Sequence, residues 1–248
     1  MKTSLKDKLR SLFETVGFQA NRTSVYTSQK LRHRLLFSQL HIDLIVDVGA
    51  NTGQFAHHCR AAGYRGKIIS FEPTAAAHAA LLHSAASDPL WTVADRMALG
   101  ATGGETEIHI ARNSYSSSIL PMLDAHLSAA PNSAYLQTEK VPLRRLDDVL
   151  AANAFDRTIF LKLDVQGYES HVLAGAPRLL AHTAAVQLEM SLLPLYEGET
   201  LMPQMHTKLA AQGFDLWDIE PSFRDQDTGR LLQIDGIFTR QFPDTPLT

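Results

Sequence analysis

The run Leu44-Ile45-Val46-Asp47-Val48-Gly49-Ala50 is β-branched, almost unbroken in its apolarity and stopped by a glycine. Such a run suits a strand buried on both faces, which is the situation of a central strand in a parallel sheet. A helical pattern follows over about 52–62, then a second strand signature, KIISFEP at 67–73, then an alanine-rich helix over 74–87. Strand, helix, strand, helix predicts right-handed βαβ units and helices on both faces of the sheet. Further strands are predicted at 91–98, 105–111, 158–164, 185–190, 214–219 and 232–239. The last two are separated by PSFRDQDTGR, too short and polar for a helical crossover, so they pair as an antiparallel hairpin.

Before the first strand, Leu5, Leu9, Leu12, Phe13 and Val16 share one helical face, and Leu31, Leu35, Leu36 and Leu40 repeat that spacing. Two helices therefore form a cap over 1–40, ahead of one α/β domain over 41–248. Residues 113–138 are rich in Ser, Ala, Pro and Asn with weak periodicity, and read as a long substrate loop or lid.

Composition removes several function classes. With 248 residues and 45% hydrophobic, the chain supports a full core and needs no disulfide staples. Its single cysteine, Cys59, suits a reducing compartment and leaves no multi-cysteine zinc motif. A formal net charge of -3 gives no pull towards nucleic acid. The opening MKTSLKDKLRSLFETVGF mixes charge with apolar residues where a secretory leader needs an apolar run, and no stretch approaches the roughly 20 apolar residues of a membrane span. The chain reads as a cytoplasmic protein.

The chemistry gathers at DVGANTGQF, residues 47–55, where a buried strand enters a glycine turn and a helix starts at once. Gly49 and Gly53 permit positive φ or close approach of a ligand to the backbone. The spacing is G-x-x-x-G, which fails the dinucleotide fingerprint, and no Lys-Ser or Lys-Thr follows to build a phosphate loop. At the end of the next strand Glu72 offers a carboxylate to ribose hydroxyls, both of which it can accept. Pro73 keeps Glu72 out of the helical region. A nucleoside without a pyrophosphate fits, and S-adenosylmethionine is such a ligand. Asp47 alternatively caps the turn that follows it, as Asp often does.

Four blocks resemble the FkbM-type methyltransferases: IVDVGANTGQF at 45–55, ISFEP at 69–73, RRLDDVL at 144–150 and LKLDVQGYESHVLAGA at 161–176. The resemblance covers roughly residues 40–240. It implies a Rossmann-like class I methyltransferase fold, a seven-stranded, mostly parallel sheet whose last strand runs antiparallel between its neighbours. It also implies S-adenosylmethionine as cofactor, leaving as S-adenosylhomocysteine. The methionine half is then held by Asp47, Gly49, Ala50, Asn51 and Gly53, the ribose by Glu72, and the adenine by the chain around Met97.

Asp164 ends the strand beside the first and looks into the transfer cleft, unless it merely pairs with Lys162 on the same strand face. Glu189 ends the following strand and reaches the same cleft. A hydroxyl acceptor loses its proton during attack, so Asp164 and Glu189 are the candidate general bases, and Asp164 also borders the cofactor. A divalent cation held by the two is a less favoured alternative. Glu169 sits in a first helical turn, where the dipole alone favours a carboxylate. His57 and His58 point to different faces, which speaks against zinc.

The sequence thus reads as an O-methyltransferase acting on a hydroxyl of a sugar, glycolipid or polyketide-type molecule. The run Tyr115-Ser116-Ser117-Ser118 offers hydroxyls for sugar recognition. A nicotinamide-dependent reductase shares the βαβ entrance, and a silent member of the fold that binds cofactor or a partner shares the whole pattern.

Overall fold

The computed structural model describes Thr15 and residues 23–240. Of the helix expected on Leu5 to Val16 only Thr15 is described, in helical backbone; the rest lies outside the described residues. The second cap helix is α1, Gln29–Gln39, with Ser28 as its N-cap, accepting from the Leu31 amide.

The run that opened the sequence forms β1, Leu44–Val48, all five residues buried. It lies between two parallel partners, β2 (Lys67–Phe71) and β7 (Ile159–Leu163). With β3 (Trp91–Val93), β8 (Thr183–Ser191), β9 (Asp215–Arg224) and β10 (Leu231–Thr239), the sheet order is β3-β2-β1-β7-β8-β10-β9. β10 runs antiparallel to both β8 and β9, inserted between them. The fold is therefore the Rossmann-like class I methyltransferase architecture, with one reversed strand in a mostly parallel sheet.

Alternation along the strands divides the core. Ile45, Ile68, Phe160, Ala185 and Ile237 face α1, α2 (Gln54–Ala61) and α3 (Ala75–Ala85) through Leu36, Phe37, Ala56, Cys59 and Leu81. Val46, Val48, Leu161, Leu163, Val186 and Leu188 face the opposite layer. Both faces being covered explains why the strands read as near-continuous apolar runs. β1 and β7 are sequence-distant neighbours: the chain winds outward from β1 to β3 and returns to β7. That reversal is the switch point at which open α/β sheets bind ligands.

Three expectations change. The strand expected over 91–98 is two, because after β3 the chain leaves the large sheet, and Ala98–Leu99 becomes β4 of a second sheet. That sheet, ordered β4-β6-β5, pairs the long antiparallel hairpin of β5 (Gly104–Ala111) and β6 (Tyr135–Arg144). Residues 113–138 are accordingly no single loop: they hold α4 (Asp124–Ala129), a 3-10 turn at Pro131–Ser133 and the start of β6. The polar residues Gln137, Thr138, Glu139 and Lys140, mostly solvent-facing, concealed that strand. Finally, β9 extends through Pro221 to Arg224, so the last turn is shorter than PSFRDQDTGR. β9 is an edge strand, a position that tolerates the proline.

Candidate active site

Where β1 ends, three residues take left-handed backbone, Gly49 (φ 77), Asn51 (φ 47) and Gly53 (φ 98). A Cβ on Gly49 would lie 1.9 Å from the Asp164 carbonyl oxygen, and one on Gly53 would lie 2.5 Å from the Trp91 ring. The protein itself fills the space these glycines leave. The turn amides are spent as well: Gly49 and Ala50 donate to the Phe71 carbonyl, Asn51 to Glu72 Oε2, Thr52 to Gln54 Oε1 and Gly53 to the Ala50 carbonyl. No amide from Gly49 to Gly53 is left free for a ligand.

Glu72 is 5% exposed, and burial pushes its carboxyl up despite bonds from Thr74 and Asn51. Oε1 accepts from the Thr74 amide (2.9 Å) and hydroxyl (2.7 Å), and Oε2 from the Asn51 amide (2.8 Å). A carboxylate has about four acceptor positions. Glu72 thus has one left for a ligand hydroxyl rather than the two anticipated.

Two clefts meet above the strand ends. The first has Glu72 on one wall and Phe71, Met97, Leu99, Ile108 and Tyr168 around it. The second is lined by His33, Asp47, Ala50, Lys162, Gln187 and Asp235 among others. Gly49, Asn51, Tyr115 and Asp164 border both. Gly53 and Glu189 border neither; Gly53 instead caps α2.

Asp47 caps no turn. It is 1% exposed and accepts from the Ser70 hydroxyl (3.1 Å), which in turn accepts from Trp91 Nε1. Burial raises its carboxyl to about 7, with Lys162 opposing. Lys162, opposite Asp47 in the ladder, reaches Asp164 Oδ2 at 3.3 Å and Asp235 Oδ1 at 3.5 Å. Burial alone depresses its ammonium, but Asp164, Asp235, Glu189 and Asp47 outweigh that and hold it above the usual lysine range. The pairing of Asp164 with Lys162 and its position on the clefts coexist, since its side chain stays 41% exposed.

Asp164 and Glu189 are brought together by Gln166, whose Nε2 donates to Asp164 Oδ1 (2.8 Å) and Glu189 Oε2 (2.7 Å). Burial, then Asp164 and Asp235, push the Glu189 carboxyl well above the usual range. Glu169 serves the backbone, accepting from the Val165 and Gly167 amides. Of the serine hydroxyls offered for sugar recognition, buried Ser118 donates to the Gln166 carbonyl, whereas Ser116 and Ser117 only accept, from Asn113 and the Ala111 amide, and Ser117 lines the first cleft. Tyr115 is 63% exposed, its hydroxyl accepting from Gln54 Nε2.

Unforeseen members are Gln166, Tyr196 and the relay from His58 through His33 to Gln187. His58 Nε2 donates to His33 Nδ1, and His33 Nε2 to Gln187 Oε1, both at 2.9 Å. Burial, then His58, lower His33 to about 3, so it is neutral. Among the described residues no group of three or more His, Cys, Asp or Glu is placed to hold a metal ion.

The fold is that of the class I methyltransferases, and above its strand ends an apolar cleft lies beside a charged one. The chain belongs to the FkbM methyltransferase family: the family model described as Methyltransferase FkbM domain matches residues 47–216. A curated relative, the 2-O-methyltransferase NoeI of Sinorhizobium fredii (strain NBRC 101917 / NGR234), is 27% identical over 209 residues, 79% of this chain and 81% of the relative. Magnesium protoporphyrin IX methyltransferase (ChlM) from Synechocystis PCC 6803, solved with bound SAM, aligns at TM-score 0.47 and 12% identity over 97% of this chain and 100% of that one. A putative S-adenosylmethionine dependent methyltransferase from Listeria monocytogenes aligns at 0.47 and 8% over 85% and 96%. No described helix is long and apolar enough to cross a membrane.

Proposed function

We propose that the protein is an S-adenosylmethionine-dependent O-methyltransferase acting on a neutral hydroxyl of a sugar, glycolipid or polyketide-type molecule. The observation that carries the reading is Asp164, a part-exposed carboxylate at the junction of the two clefts. Bound S-adenosylmethionine supplies a methyl group already activated on a sulfonium. The residues present suit that cofactor. The apolar first cleft accepts a flat base near Met97, and the free acceptor position on Glu72 takes a ribose hydroxyl. At the junction, the buried Asn51 Oδ1 lacks a protein partner. Asp47, Gly49 and Ala50 then flank the amino-acid end.

What the chain adds is orientation and proton handling. Positioning of the acceptor oxygen supplies much of the rate, and Asp164 receives the proton that the hydroxyl loses. Lys162 is surrounded by Asp47, Asp164 and Asp235, so the second cleft carries surplus negative charge and disfavours anionic acceptors. The kinship with a relative named as a 2-O-methyltransferase supports oxygen as the site of transfer.

The test uses cofactor labelled in its methyl group with a panel of glycosides, glycolipids and polyketide alcohols. Label is expected on oxygen, and Asp164→Asn lowers kcat by about 100-fold with little change in cofactor KM. Transfer to nitrogen or carbon, or full activity of Asp164→Asn, overturns the reading.

A further inference from the structure

We propose that Gln166 is a positioning residue that aims the Asp164 carboxylate at the junction of the clefts by tying it to Glu189 and to the Tyr196 hydroxyl. The inference rests on Asp164 as proton acceptor and adds what holds it in place.

All three hydrogen-bonding atoms of the carboxamide that matter are used. Its two N–H groups donate to Asp164 Oδ1 and Glu189 Oε2, and its Oε1 accepts from Tyr196 at 2.7 Å. Turning the amide over would set its oxygen against Asp164 Oδ1 and remove the donor there, so the observed orientation is the one that serves Asp164. Tyr196 is fully buried, its ring 5.2 Å from that of His126, and cannot swing away. Gln166 itself is 8% exposed and holds φ 55, backbone that residues other than glycine rarely adopt. Strain of this kind persists where surrounding contacts over-determine it.

Asp164 has two side-chain partners. Lys162 on Oδ2 is a point charge on a flexible stem, which neutralises without giving direction. Gln166 on Oδ1 is short, buried and neutral, so it gives direction without adding charge. The charged and titratable groups around Asp164 are Lys162 on its own strand, Asp47 on β1, Glu189 on β8, Asp235 on β10, Glu169 in the following helix and Tyr196 beyond β8. Gln166 is the uncharged hinge among them. Its backbone carbonyl also accepts from Ser118 at 2.7 Å, so the residue that orients Asp164 anchors the segment crossing both clefts at Tyr115.

The experiment measures kcat against pH, and cofactor affinity by calorimetry, for the wild type, Gln166→Leu, Gln166→Glu, Tyr196→Phe and Asp164→Asn. Gln166→Leu removes the donor that fixes Asp164 Oδ1, and the acid limb of kcat is expected to move to higher pH. Its kcat falls about tenfold or more, while cofactor affinity stays within about threefold. Gln166→Glu, of equal size, brings a third carboxyl to the pair and moves the limb in the same direction; it serves also if the leucine variant does not fold. Tyr196→Phe frees the amide and gives a smaller shift of the same sign. An unmoved acid limb in both Gln166 variants, whatever happens to kcat, reduces the residue to packing and overturns the proposal. Full activity of Asp164→Asn instead overturns the underlying reading of Asp164. An inactive Asp164→Asn with unmoved limbs in the Gln166 variants condemns this proposal alone.

Discussion

Glu72 closes the β1 turn and the start of α3 with three of its acceptor positions while lining the first cleft. Glu72→Ala is expected to weaken S-adenosylmethionine binding by about 1–3 kcal/mol, read by calorimetry, if the ribose hydrogen bond is made there. Unchanged affinity moves the ribose elsewhere. Gly49 makes a different demand. Its left-handed backbone and the 1.9 Å approach to the Asp164 carbonyl leave no place for a methyl group. Gly49→Ala is expected to cost at least about 2 kcal/mol in urea unfolding, since strain and a backbone clash coincide. The expectation fails if the midpoint does not move.

At the scale of elements, α1 is latched to the far edge of the large sheet. Arg32 donates from Nε to Asp218 on β9 at 2.7 Å, pairs with Glu220 and donates to the Val25 carbonyl, with the charged partners about a fifth exposed. Charge-assisted bonds in such surroundings are worth about 1.5–3 kcal/mol each net. Arg32→Ala is therefore expected to lower stability by about 2 kcal/mol and to speed hydrogen exchange across α1 first; uniform exchange would deny the latch. Elements also differ in how openly the chain announces them. β1 and β7 are legible because burial on both faces makes every position apolar, Asp47 and Lys162 being the exceptions that mark the site. β4, two residues long, and β6, with its solvent-facing polar start, offer no such signal. The strand-end carboxylates Asp47, Glu72, Asp164 and Glu189 could be placed by element alone. Gln166, Tyr196 and His33 could not, because what they do depends on contacts across the fold: 30 residues separate Tyr196 from Gln166, and 154 separate His33 from Gln187.

For the whole molecule, buried titratable groups make stability depend on pH. His33 stays neutral in the folded chain down to about pH 3, whereas the unfolded chain takes up its proton near 6.5. The unfolded state thus binds the extra proton between those values, so this contribution is full above about 6.5 and is lost as pH falls towards 3. Asp47 and Glu169, raised to about 7 by burial, act oppositely: their contribution is full below the ordinary carboxylate range and is lost as pH rises to about 7. Comparing wild type with His33→Gln cancels the carboxylates. From pH 7 to pH 5 the wild type is expected to lose up to about 2 kcal/mol more than the variant, and parallel losses would show that His33 is not the group responsible.

The same molecule-wide arrangement, an apolar cleft with Glu72 on its wall opening past Asp164 into a polar one, is tested most directly by titrating S-adenosylmethionine, S-adenosylhomocysteine and NAD into the full chain in a calorimeter. Both adenosyl ligands are expected to bind with one-to-one stoichiometry and to compete for one site, with NAD giving no heat of binding. Binding of NAD alone would contradict the account.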